Sequence, residues 1–171
     1  MRPLCRRTLL AAAFLIPSLA SAQQRGIEIG LDGGARYELD AELLVLAVPL
    51  QRVRAAFPSG NRLAFEPALS FARVATGGES VVAMVFEVGA VYDFGATHTT
   101  YTRPFVGYEY ADASFAQGES VVDLGIGFGT RSRIADRLAV RIEGTITGRF
   151  ATSGGADGVF GVSAGLSFFT R

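Results

Sequence analysis

The chain has 171 residues, with 16 arginines, no lysine and 16 acidic residues, so it is formally neutral while almost half of it is hydrophobic. Without a basic block it is a poor partner for nucleic acid, because neutralising phosphates takes clustered cations. Beyond residue 22 the longest apolar run is Leu43 to Leu50, far short of the ~20 residues that a membrane-spanning helix needs.

At the start of the chain Arg2, Arg6 and Arg7 precede the apolar stretch Leu9 to Ile16, then Pro17 and the small residues Ala20, Ser21 and Ala22. That order predicts a cleavable secretory signal peptide over 1–22, with a single domain over 23–171. Cleavage after Ala22 removes Cys5 and three arginines, leaving 149 residues (171 − 22) with 13 arginines (16 − 3) and no thiol. Arg6-Arg7-Thr8-Leu9-Leu10 is similar to a twin-arginine export signal. It lacks the polar residue ahead of the pair, so general export is expected.

From Ile27 onward apolar residues recur at every second position, the period of a strand. Ile27, Ile29 and Leu31 alternate with Glu28, Gly30 and Asp32. Glu42 to Arg54 forms a second strand whose register the pattern leaves open, because Leu43 to Leu50 is apolar on both faces. Pro49 removes a ladder donor there, so a bulge or bend is expected. Leu63, Phe65, Leu69 and Phe71 then oppose Arg62, Glu66 and Ser70, and Val82, Met84, Phe86 and Val88 oppose Glu87 and Gly89. Val106 and Tyr108 oppose Arg103 and Glu109, while Val122, Leu124, Ile126 and Phe128 alternate with Asp123 and three glycines. Leu138, Val140 and Ile142 oppose Arg141, Glu143 and Arg149, and Phe160 to Phe168 repeats the alternation against glycine and serine.

Turn-rich stretches at 57–61, 75–80, 95–100, 113–120, 131–137 and 152–158 separate these eight strands, and no stretch has a helical period. The fold class that follows is all-β, an eight-stranded antiparallel up-and-down barrel of the transmembrane kind. Eight strands leave an interior just filled by side chains, which excludes a general porin. With apolar residues facing lipid, the polar faces form a lumen lined by Glu28, Asp32, Arg36, Glu66, Glu87, Arg103, Glu109, Asp123, Arg141, Glu143 and Arg149. Charges of both signs in so narrow a space must pair. Inward glycines would make room for the long arginines. Tyr92, Phe94, Tyr101, Tyr108, Tyr110, Phe150 and Phe168 fall near strand ends, where aromatic girdles meet headgroups.

Ser163, Gly165 and Phe168 stand in Ser-Ala-Gly-Leu-Ser-Phe-Phe-Thr, which resembles the C-terminal assembly signal of bacterial outer-membrane barrels, although here the chain continues to Thr170 and Arg171. Arg103-Pro-Phe-Val-Gly-Tyr and Arg137-Leu-Ala-Val-Arg-Ile-Glu are similar to strands of small barrels of the OmpA and OmpX type. The resemblance implies residence in the outer membrane, contact with its lipid, and handling by the barrel-assembly machinery. A structural or surface-interaction role without a cofactor goes with it.

Candidates for chemistry are few. His98, the single histidine, lies in a turn stretch without a second ligand for zinc and without a nearby serine for the lipid-A-modifying chemistry of some barrel enzymes. Gly125-Ile-Gly127-Phe-Gly129 lacks the following helix that a phosphate loop needs. Glu87 with Glu109 and Asp123 with Glu143 read as salt-bridge partners rather than glycosidase pairs. The same alternation also suits a soluble periplasmic barrel of lipocalin type, with apolar faces inward around a small apolar ligand and charges in water. A narrow ion pore is a third reading.

Overall fold

A computed structural model describes residues 26–39, 42–76, 79–94, 99–113 and 116–170. The segment read as a signal peptide and His98 lie outside the described residues. Eight strands follow in order: β1 (Glu28–Glu38), β2 (Leu43–Pro58), β3 (Leu63–Thr76), β4 (Glu79–Phe94), β5 (Thr100–Ala113), β6 (Ala116–Ala135), β7 (Leu138–Ala151) and β8 (Ala156–Phe169). Each pairs antiparallel with the next, and β8 pairs with β1 to close the barrel. Closure satisfies the backbone of every edge, the condition for crossing a bilayer with strands.

The register carries a stagger. Glu28 faces Ala56, which faces Glu66 in the ladder fixed by Arg54↔Ala68 and Phe57↔Phe65. Continuing through Gly89, Phe105, Gly125, Thr147 and Val159 returns to β1 at Glu38, ten residues (38 − 28) beyond the start. A stagger of this kind is what tilts the strands of a closed barrel.

The outer surface is apolar. Leu31, Val53, Leu69, Leu124, Ile142, Ile146 and Val162 are all exposed, while Arg54, Glu66, Arg103, Arg141 and Glu143 are almost fully buried. This is the inverse of a lipocalin, and it corrects the soluble reading. Phe160 and Phe168 stand eight residues apart on the outer face of β8, and Phe86 and Phe94 repeat that interval on β4. At 3.3 Å per residue and a tilt of ~40°, eight residues rise roughly 20 Å along the barrel axis, close to the ~25 Å apolar band of membrane barrels. Between the two levels the outer face is mainly aliphatic, as at Val162 and Leu166 on β8, with Phe65, Tyr92 and Phe128 interspersed.

The bulge expected on β2 is present, while β6 departs from the sequence pattern. On β2 the ladder to β1 passes from Asp32↔Arg52 to Gly34↔Ala47, so residues 48–51 of β2 stand opposite Gly33 alone. Pro49 lies in this bulge, where its missing N–H breaks no ladder bond. The stretches 113–120 and 131–137 hold more strand than turn, because β6 runs for 20 residues. Its ends are held by pairing, Arg131↔Arg141 and Arg133↔Ala139 at one end and Tyr110↔Ser120 at the other, so the neighbouring ladders override local turn composition. Between β7 and β8, Gly154 (φ +94°) and Gly155 (φ +133°) take backbone conformations open to glycine at little cost.

Candidate functional site: the charged lumen

The start of β1 and the end of β8 lie at one rim, hereafter the terminal rim, because the strand number is even. The lumen next to it is packed solid with ion pairs. Arg54 on β2 donates through Nη1 to Glu28 (2.6 Å), through Nε to Asp32 (2.8 Å) and through Nη2 to the Ser167 hydroxyl (2.7 Å), and that hydroxyl donates to Glu28 (2.7 Å). Arg103 on β5 donates to Glu143 (2.7 Å) and Glu87 (3.1 Å). Arg141 on β7 bridges Glu66 and Glu143, taking the latter at 2.6 Å. Arg131 on β6 ties Glu28 (2.6 Å) to Asp93.

These contacts use every donor geometry a guanidinium offers. Its planar fork engages two or three oxygens at once, so all eight strands are cross-linked through four arginines. Arg103 also stacks over Phe105 at 4.4 Å, and Arg141 lies over the Tyr101 ring at the same distance. The glycines are where this packing needs them. A β-carbon at Gly30 would collide with the Arg54 guanidinium, one at Gly89 would press on Arg103, and one at Gly127 would meet the Glu143 carboxyl.

Tyr101 departs from the pattern. Its place near a strand end suggested the aromatic girdle, yet the ring is fully buried, and its hydroxyl accepts from Arg141 and donates to Glu143 (2.8 Å). Strand parity explains it, since Tyr101 shares the inward face of β5 with Arg103 and Glu109. Gly129 leaves the space that the ring fills.

Toward the opposite, far rim the lumen loosens. Arg149 donates to Glu109 (2.8 Å) and Glu38 (3.3 Å) and approaches Asp123 at 3.5 Å, while Arg36 pairs with Glu38 (3.0 Å) and Glu109 (3.4 Å). The Arg36 side chain is 37% exposed. Between these pairs and the packed layer lies a cavity of about 290 Å³. Arg52, which donates to Glu87 (2.6 Å), stands at its floor with Arg103 and Phe105.

All eleven lumen residues taken from the sequence point inward and enter these pairs. Arg52, Arg54, Arg131, Glu38, Asp93 and Ser167 join them. Arg52-Val53-Arg54 does carry the two-residue period, but the unreadable run before it hid the parity, and Arg131 lay in a stretch read as turn. Of the C-terminal residues, Ser163 faces the cavity and Phe168 faces outward. A β-carbon at Gly165 would collide with Asp32 and the Leu31 carbonyl. Among the described residues no group of histidine, cysteine, aspartate and glutamate is arranged to hold a metal ion.

No family model matches the chain, and no curated protein matches its sequence. Solved structures match its fold. Neisserial surface protein A (NspA) superposes with a TM-score of 0.67 at 12% identity, over 85% of this chain and 97% of that one. Ail, the attachment invasion locus protein of Yersinia pestis, superposes with a TM-score of 0.51 at 15% identity, over 84% of this chain and 96% of that one. Its complex with the heparin analogue sucrose octasulfate gives 0.54 at 14% identity over the same shares. Identities this low establish a shared fold, the small closed barrel.

Proposed function

We propose that the protein is exported, loses residues 1–22, and resides in a bacterial outer membrane as a closed barrel with a structural or surface-interaction role. The observation that carries this reading is the inversion of polarity, with a mainly aliphatic exterior between two aromatic levels and a network of paired arginines and carboxylates within. Only lipid suits that exterior, since a soluble protein rarely exposes so large an apolar surface. Carbonate extraction of membranes and gel migration before and after boiling test it. Retention in the membrane and heat-modifiable migration are expected, and a protein released as a soluble species would overturn the reading.

The role is non-catalytic and needs no cofactor. Its contacts are outer-membrane lipid and, during insertion, the barrel-assembly machinery. Ser163, Gly165 and Phe168 on β8 serve as the assembly signal, supported by the position of β8 as the strand that closes on β1. Phe168→Ala is then expected to lower the yield of membrane-inserted protein in cells while leaving refolding in detergent unchanged. An unchanged yield in cells removes the signal. The packed layer of arginines and carboxylates argues against an ion pore. Planar-bilayer recordings are expected to show no discrete conductance.

A further inference from the structure

The arginines of the terminal rim are spent differently from those of the lumen. Inside the barrel they face carboxylates, and even the half-exposed Arg36 is paired with Glu38 and Glu109. Arg62, Arg133 and Arg137 at the terminal rim are exposed, and none of them forms an ion pair with a described residue. The buried acids of that rim are already committed, since Arg131 holds Glu28 and Asp93. Asp136 is the one exposed acid there among the described residues, so the exposed rim carries a net charge of +2 (three arginines less one aspartate).

Register sets the depth of these arginines. Leu63 pairs with the outward Tyr92, and Leu138 with the outward Phe168. Arg62 and Arg137 are the next residues toward the rim, where their carbonyls accept from the N–H groups of Asp93 (2.7 Å) and Phe169 (3.0 Å). They stand one residue, ~3.3 Å of strand, beyond the aromatic level, which is the depth of lipid headgroups. Arg133 reaches the same level from the lumen side of β6. Its guanidinium lies over the Phe169 ring at 5.1 Å and donates to the Asp136 carbonyl at 3.5 Å, which positions it and leaves further N–H donors to spare.

Their arrangement around the rim selects the partner. Arg62 lies at the β2–β3 turn, and Arg133 and Arg137 lie at the β6–β7 hairpin, four strands away in a ring of eight. The two groups stand on opposite sides of the barrel, so one small anion cannot reach both. A layer of phosphates can, and the guanidinium fork matches phosphate oxygens. A zwitterionic headgroup carries its own ammonium beside the phosphate, whereas an anionic headgroup offers a positive rim an uncompensated charge.

We propose that the terminal rim docks on anionic glycerophospholipid headgroups, with Arg62 on one side of the barrel and Arg133 and Arg137 on the other as the phosphate-binding residues. This rests on the membrane residence proposed above. The two fail in different ways, since a soluble protein would enter no vesicle and a barrel without this rim contact would enter vesicles without a lipid preference.

Electron spin resonance of the protein purified from membranes and reconstituted in phosphatidylcholine vesicles, with trace spin-labelled phosphatidylglycerol or phosphatidylcholine, tests the proposal. The motionally restricted fraction is expected to favour phosphatidylglycerol about twofold or more, and the preference should shrink in molar salt. Combining Arg62→Gln, Arg133→Gln and Arg137→Gln should bring the ratio near one, while Arg36→Gln at the far rim leaves it in place. Each terminal-rim substitution made singly should lower the ratio, which decides the matter if the triple variant does not insert. Equal association of the two lipids overturns the proposal, as does a preference that survives the terminal-rim substitutions. Loss of the preference on adding millimolar glycerol 3-phosphate would assign the arginines to a free anion and overturns docking on lipid.

Discussion

The terminal half and the far half of the lumen are built from the same arginines and carboxylates, yet they do different things with them. Near the terminal rim, Arg54, Arg103 and Arg141 are at most 2% exposed and each meets two or more acceptors at hydrogen-bonding distance. Near the far rim, Arg36 and Arg149 keep 37% and 15% of their side chains exposed, and their Nε atoms face Glu38 at 3.0 Å and Asp123 at 3.5 Å without hydrogen-bond geometry. The difference is one of spacing rather than composition. Where glycines on one strand sit under long side chains from the next, the guanidinium groups interlock, as at Gly30, Gly89 and Gly127. Where β2 bulges at residues 48–51, the ladder to β1 shifts register and a cavity opens near Gly33 and Gly34.

The sharpest way to break this contrast is Arg141→Ala. Removing it takes both hydrogen bonds from the buried Glu66 carboxylate, while Glu143 keeps Arg103 and Tyr101, an uncompensated-charge effect of about 3–5 kcal/mol. Urea unfolding from lipid vesicles is expected to show that loss, and a loss below ~1 kcal/mol would mean that water already reaches the layer. Ile142→Arg, one residue along and on the outer face, tests the wall that encloses both halves. Burying a cation at the lipid midplane should cost roughly 2–4 kcal/mol in vesicles, with a much smaller effect in detergent.

Packing gives the next effect in size. A β-carbon at Gly125 would overlap the Phe105 ring, so Gly125→Ala should cost about 1–3 kcal/mol. At the outward-facing Gly144 the nearest atom to such a carbon is 3.9 Å away, and Gly144→Ala should change stability by less than about 0.5 kcal/mol. The smallest charge effect is expected at the far rim. Arg36→Ala should cost under about 1 kcal/mol and lose even that at high salt, because a side chain 37% exposed leaves its pairs screened. The Arg141→Ala loss should not change with salt, so the two variants measured together give the contrast directly.

Much of the site was legible in the residues. Alternation on β1, β3, β5 and β7 fixes which side chains share a face, so Glu28, Glu66, Arg103 and Glu143 fall together once the barrel is closed. Arg54 was hidden because the apolar run before it gives β2 no parity, and Arg131 because Arg131 to Arg137 reads as turn when its ladder to β7 is not in view. Tyr101 misled because proximity to a strand end and orientation are separate properties, and only the second is decided by parity.

The sequence by itself determined the number of strands, their two-faced pattern and the presence of mutually neutralising charges, since these follow from a period of two and from composition. Which charge meets which was decided by the tertiary structure alone. A stagger of ten residues around the closed barrel brings Arg54 to Glu28 and Arg141 to Glu66 across 26 and 75 residues of chain, and no local rule encodes that number. The cavity is likewise tertiary, because empty space is a property of how neighbouring faces fail to fill one another.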